Sequence, residues 1–215
     1  VPAIDKPIRK GKRKLTVNLS KGQRINLSKD NAGLKKVIVG LGWDAAKTEQ
    51  PTGFFARLTA PKVANIDCDA FAVLLQNGKL DQTRDIVYFH NLQHFSGAVQ
   101  HMGDNLTGDG DGDDEQIVID LNKIPPEYDS IVLAVNIYCA EDRHQHFGMI
   151  KNAFIRLVDA NTSKEMCIYN LTDNYDGKTA VLFGELYRKD GEWKFRAVGE
   201  GTNDGSITSF ARRFE

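Results

Sequence analysis

Three widely separated cysteines are too few and too scattered to organise the 215-residue chain. Cys68, Cys139 and Cys167 suit neither a disulfide framework nor a zinc site. They also lack the paired spacing of a redox centre. Each sits in an apolar or alternating stretch, the setting expected of reduced, mostly buried thiols in a cytoplasmic protein. No apolar run reaches the roughly 18 residues of a transmembrane helix, and the first residues hold no apolar core of the signal-peptide kind. Helix signals are scarce, which argues against a βαβ fold. Catalytic fingerprints are missing as well: there is no phosphate-binding glycine loop, dinucleotide motif or Ser/His/Asp pattern. An enzyme is not expected.

What is present is unevenly charged. The net charge of −1 conceals two opposite local fields. Residues 1–14 hold Lys6, Arg9, Lys10, Lys12, Arg13 and Lys14 against Asp5, a net of +5. With two prolines and little to bury, they read as a basic flexible arm or linker, and residues 15–215 as the folded domain. The arm lacks aromatics for base stacking and apolar content for membrane anchoring, so nucleic acid is not an expected partner and a membrane only through another protein.

Beyond the arm the pattern is mostly strand. Expected strands cover 15–19, 36–41, 66–75, 116–121, 131–138, 152–158, 166–171, 179–188 and 192–198. Asn77-Gly78 and Asp190-Gly191 supply turns between them. A short polar helix is expected over 141–150. Ile207, Phe210, Ala211 and Phe214 fall at helical spacing near the C-terminus. Many short strands with turns between them predict a mainly all-β fold: a two-sheet antiparallel sandwich with one or two short helices.

The segment from Gly103 to Glu115 is the most informative part of the chain. Six carboxylates within residues 104–115, with no base among them, repel one another and call for a neutralising ion. Four interleaved glycines let the backbone turn sharply. Hard oxygen donors on a bendable loop suit calcium; zinc would want His or Cys. An EF-hand does not fit. Its sixth position would be Asp114 instead of glycine, and its twelfth would be Asp120 within a strand.

Several motifs together resemble the TerD family of tellurium-resistance and stress-response proteins. They are Val17-Asn18-Leu19-Ser20-Lys21-Gly22, Val39-Gly40-Leu41-Gly42-Trp43-Asp44, Ile66-Asp67-Cys68-Asp69-Ala70 and Gly103-Asp104-Asn105-Leu106-Thr107-Gly108 with Asp113-Asp114-Glu115. Phe147-Gly148, Asn152-Ala153-Phe154-Ile155-Arg156 and Phe183-Gly184-Glu185-Leu186-Tyr187-Arg188 fit too. The resemblance implies a non-enzymatic β-sandwich that binds calcium, with more than one ion expected. Its partners would be other proteins of a tellurite or stress-resistance system, and it implies no small-molecule substrate. The implied metal donors are Asp104, Asn105, Asp109, Asp111, Asp113, Asp114 and Glu115. Asp67 and Asp69 form a second acidic pair that shares one strand face and is expected to face the same ion.

Two other readings stay open. A calcium-dependent membrane or glycan-binding module would expose apolar residues beside the loop, where Leu106 and His101 are nearest. A metal-dependent phosphoesterase would gather carboxylates from distant strand ends around an open metal position. Asp142, His144 and His146 are expected to be surface groups, Trp43 a core anchor, and Asp44 a strand-end group near the loop.

Overall fold

The computed structural model describes residues 16–45, 66–103 and 112–215. Two six-stranded sheets face each other. Sheet A runs in the order β1 (Val17–Leu19), β10 (Lys164–Asn170), β9 (Ile150–Asp159), β3 (Lys36–Ala45), β7 (Glu115–Asp120), β6 (Val99–His101). Sheet B runs β2 (Arg24–Asn26), β12 (Glu192–Thr202), β11 (Ala180–Lys189), β8 (Ser130–Ile137), β4 (Cys68–Leu75), β5 (Ile86–Val87). Among the described strands every pairing is antiparallel except β1 with β10. The fold is the all-β sandwich that the strand pattern predicts.

The period of two sorts side chains into layers. Val37, Val39 and Leu41 of β3 and Ile117 and Ile119 of β7 point inward. They meet Cys68, Ala70, Ala72 and Leu74 of β4 and Ile131, Leu133 and Val135 of β8. The alternate residues Phe71, Val73 and Leu75 of β4, with Val132 and Ala134 of β8, form a second apolar layer on the outer face of sheet B. This layer is covered by α2 (Ile207–Ala211), whose Ile207, Phe210 and Ala211 are buried. The Phe210 ring meets Phe71 edge-on at 5.1 Å. Strands β4 and β8 are therefore buried on both faces, which is why they read as continuous apolar runs instead of alternating ones.

Local chemistry fixes the turns. Asn77 and Gly78, and Asp190 and Gly191, all take positive φ, as the tight hairpins predicted at these dipeptides require. The polar helix expected over 141–150 does not form. Cys139 and His144 stand at positive φ, which breaks any right-handed helix there, and only a 3₁₀ turn at Phe147–Met149 remains. Several short elements escape the sequence pattern: β2, β5, β6, and the single-turn helix α1 (Leu27–Asp30) capped by the Asn26 side chain. The expected boundary at residue 15 and the arm before it lie outside the described residues.

Candidate functional site

The end of the acidic segment, from Gly112 to Glu115, lies against β3. Asp114 donates its backbone N–H to Leu41 O at 2.8 Å, and its carboxylate Oδ2 accepts from Trp43 N at 2.7 Å. Two glycines of β3 make room for it. A Cβ on Gly40 would run into the Asp113 carboxylate, and one on Gly42 would meet the Phe154 ring and Gly112 O. A larger residue at Gly40 would displace the Asp113 carboxylate, and one at Gly42 would press on the backbone of Gly112.

Each described carboxylate then has its own surroundings. The Asp113 side chain is buried and gripped by Arg156 of β9, with Nε at 2.6 Å from Oδ1 and Nη2 at 3.1 Å from Oδ2. Gln116 Nε2 adds a third bond at 3.0 Å. The hydrogen bond to Asp113 raises the Arg156 guanidinium further above its ordinary value, against the opposing effect of burial.

Glu115 crosses between the sheets. Strand β5 pairs only with the Ala72–Val73 stretch of β4, so the backbone of Ala70 lies beyond the ladder. Glu115 Oε2 accepts from Ala70 N at 2.6 Å, and His101 Nε2 lies 3.1 Å from Ala70 O. Leaving these buried backbone groups without partners would cost about 1–3 kcal/mol each. His101 Nε2 also lies 3.4 Å from Glu115 Oε2.

Asp67 and Asp69 flank Cys68. The Cys68 thiol is raised well above its ordinary value, first by burial and then by the carboxylates of Asp69, Glu115, Asp67 and Asp114. All four therefore act on one buried sulfur. Their directions differ, however. Cys68 and Ala70 point into the inter-sheet core, so Asp69 turns to the outer face of sheet B, where it lines a cavity beside Asn136. Asp67 Oδ2 lies 3.7 Å from Arg143 Nη1. Asp104, Asn105, Asp109 and Asp111 lie outside the described residues. Among the described residues no three His, Cys, Asp or Glu side chains gather closely enough to hold a metal ion.

Against this geometry the similarities fall into place. A family model described as the TerD domain matches residues 15–214. The chain belongs to the TerD family. The Stress response protein SCP2 of Bacillus subtilis (strain 168) is 52% identical over 200 residues, which cover 93% of this chain and 100% of that one. The Tellurium resistance protein TerD of Serratia marcescens is 45% identical over 192 residues, covering 89% and 93%. A crystal structure of a telluride-resistance (TerD) homologue from Streptomyces coelicolor A3(2) matches with a TM-score of 0.61 at 22% identity, covering 83% and 96%. At that identity the match speaks for the fold alone.

In this TerD-family chain, sequence reasoning overlooked several partners that hold the acidic residues. Arg156 is 43 residues from Asp113 and meets it only through strand register, whereas Gln116 is a local neighbour and His101 lies in an unremarkable context. Gly40 and Gly42 were visible in the motif, but their reason is steric. Asp44 accepts from Asn152 Nδ2 at 2.7 Å, and Trp43 is buried in the core as expected. His101 is buried and does not offer an exposed surface beside the loop. His144 is exposed, and His146 Nδ1 lies 3.3 Å from Asp176 Oδ1.

Proposed function

We propose that this TerD-family protein is a non-enzymatic calcium-binding protein of the tellurite-resistance and stress-response type, acting in the cytoplasm. Bound calcium orders the acidic segment as a surface for other proteins of the same system. The observation that carries the reading is a segment dense in carboxylates whose last two, Asp114 and Glu115, are held in fixed directions by backbone N–H groups of β3 and β4. These are hard oxygen donors of the kind calcium takes six to eight at a time. When bound, the ion supplies the positive charge that lets such carboxylates lie close together.

The chain's own residues prepare the place. Trp43 N and Ala70 N each hold one oxygen of Asp114 and Glu115 and so fix the direction of both carboxylates. Asp113, held by three hydrogen bonds from Arg156 and Gln116, serves as the anchor of the segment rather than as a donor. The remaining donors come from Asp104, Asn105, Asp109 and Asp111, and the reading includes more than one ion.

Thermal unfolding in saturating calcium and in chelator tests this. A hundredfold excess over the dissociation constant contributes about 2.7 kcal/mol. For a chain of this size that raises Tm by about 5–10 °C. Identical melting curves in the two conditions would overturn the calcium reading.

A further inference from the structure

The outer face of sheet B carries a second polar feature, distinct from the inter-sheet position of Glu115. A cavity of about 400 Å³ opens where α2 begins, between the segment after β5 and the turn after β8. Its lining includes Asp69 and Asn136, which are direct cross-strand partners of β4 and β8. Both are almost fully buried, at 4% and 3% exposure. Asn136 Oδ1 has no hydrogen-bond partner. A buried amide oxygen left in this state at the wall of an open cavity is an acceptor awaiting a donor.

The other lining groups say what kind of donor. Phe89 and Tyr138 contribute aromatic rings, and Glu141 and Asp142 stand exposed beside them. With Asp69 the cavity holds three carboxylates, and no lysine or arginine is among its described lining residues. The neighbouring Arg143 stacks 5.1 Å over the Tyr138 ring and faces Asp67. No described trio of acids converges closely enough to hold a metal ion, so these charges are dispersed around the cavity. Dispersed acceptors with aromatic walls match a cation that is itself extended, carries N–H donors and has an apolar stem.

We propose that this cavity binds an organic cation, an alkylammonium or guanidinium group, with Asn136 and Asp69 receiving its N–H donors and Phe89 and Tyr138 flanking its stem. The same chemistry is offered by a free amine and by a lysine or arginine side chain of another protein. The site shares Asp69 with the calcium reading but rests on Asn136 and the aromatic walls, which that reading does not use.

The test is a nitrogen-15 NMR titration of the whole chain with n-butylguanidinium and n-butylammonium, run once in chelator and once in saturating calcium. Saturable shifts of the Asn136 side-chain amide and of the Tyr138 and Ile207 backbone signals are expected in both conditions. Tetramethylammonium, which has the charge but no N–H, should bind at least about tenfold more weakly. The Asn136→Leu variant should lose about tenfold in affinity. The rim pair Glu141→Gln with Asp142→Asn is exposed, should leave the melting temperature nearly unchanged, and should weaken binding too. A capped Gly-Arg-Gly peptide separates the sources: tighter binding than butylguanidinium assigns the site to a protein side chain, weaker binding to a free amine. Absence of saturable shifts, equal binding of tetramethylammonium, or displacement of the amine by calcium would overturn the proposal. Failure of the calcium melting test alone would leave it standing.

Discussion

Removing Arg156 should be among the most damaging single changes on sheet A. The Asp113 side chain is only 2% exposed, and Arg156 supplies two of its three described hydrogen bonds. In Arg156→Met the stem is kept and the guanidinium lost, so a buried carboxylate is left with Gln116 alone. Breaking a buried pair from one side costs about 3–5 kcal/mol. The Arg156 side chain is 31% exposed, so water can partly replace it, which places the expected loss near 3 kcal/mol. At about 2–4 °C per kcal/mol that lowers Tm by about 6–12 °C. Asp113→Asn, which buries no charge, should cost about 1–2 kcal/mol. The double variant should then be milder than the sum of the singles by at least about 1 kcal/mol, because no buried anion remains to be stranded. Urea unfolding in chelator measures all three without metal linkage. A loss below about 0.5 kcal/mol for Arg156→Met, or strict additivity in the cycle, would refute the anchoring role and reopen Asp113 as a metal donor.

Further expectations follow from other carboxylates and from buried titratable groups. The double change Asp67→Asn, Asp69→Asn should weaken calcium binding at least tenfold, about 1.4 kcal/mol; unchanged affinity and stoichiometry by calorimetry would remove both from the metal centre. Burial lowers the His94 imidazole below its ordinary 6.5, more than the neighbouring Asp85 raises it, with Arg84, Glu127, Tyr128 and Ser96 also facing or near the ring. The unfolded chain therefore binds the proton better, and stability should fall as pH drops through and below 6.5. His94→Gln should flatten that slope, and a slope unchanged by the exchange would acquit this residue. Burial pushes the Cys167 thiol up to about 12 and the Cys68 thiol well above 9. Iodoacetamide at pH 8 should therefore label Cys139 in the native protein and spare the other two; native labelling of Cys68 would contradict its placement.

The sandwich was legible because its signals are local. Alternation along 116–121 and 192–198, and the Asn-Gly and Asp-Gly dipeptides, report periodicity and turn chemistry that need no knowledge of distant residues. The apolar runs of β4 and β8 were legible as strands, and that of β8 as a central one, since covering on both faces removes the polar half of the pattern. Strands β2, β5 and β6 escaped. Each is two or three residues long and is stabilised by its partner strand rather than by its own sequence. The parallel pairing of β1 with β10 joins segments about 150 residues apart, and nothing local to either one announces it.

The acidic residues show where local reading stops. A strand face can be derived from parity, and parity places Asp69 beside Phe71 on one side of β4 and Cys68 beside Ala70 on the other. Which of those sides meets Glu115 depends on how sheet A is laid over sheet B. Glu115 comes from the core side, where it holds Ala70 N, while Asp69 turns outward to Asn136. One stretch of three residues thus serves two environments through a single change of parity. A Cys68→Ser exchange would probe the inner one, and Asn136→Leu the outer. If calcium affinity responds to the first and organic-cation binding to the second, with neither crossing over, β4 separates two sites by its pleat. If both exchanges move both affinities, the sheet transmits between its faces, and Asp69 is the residue through which it does so.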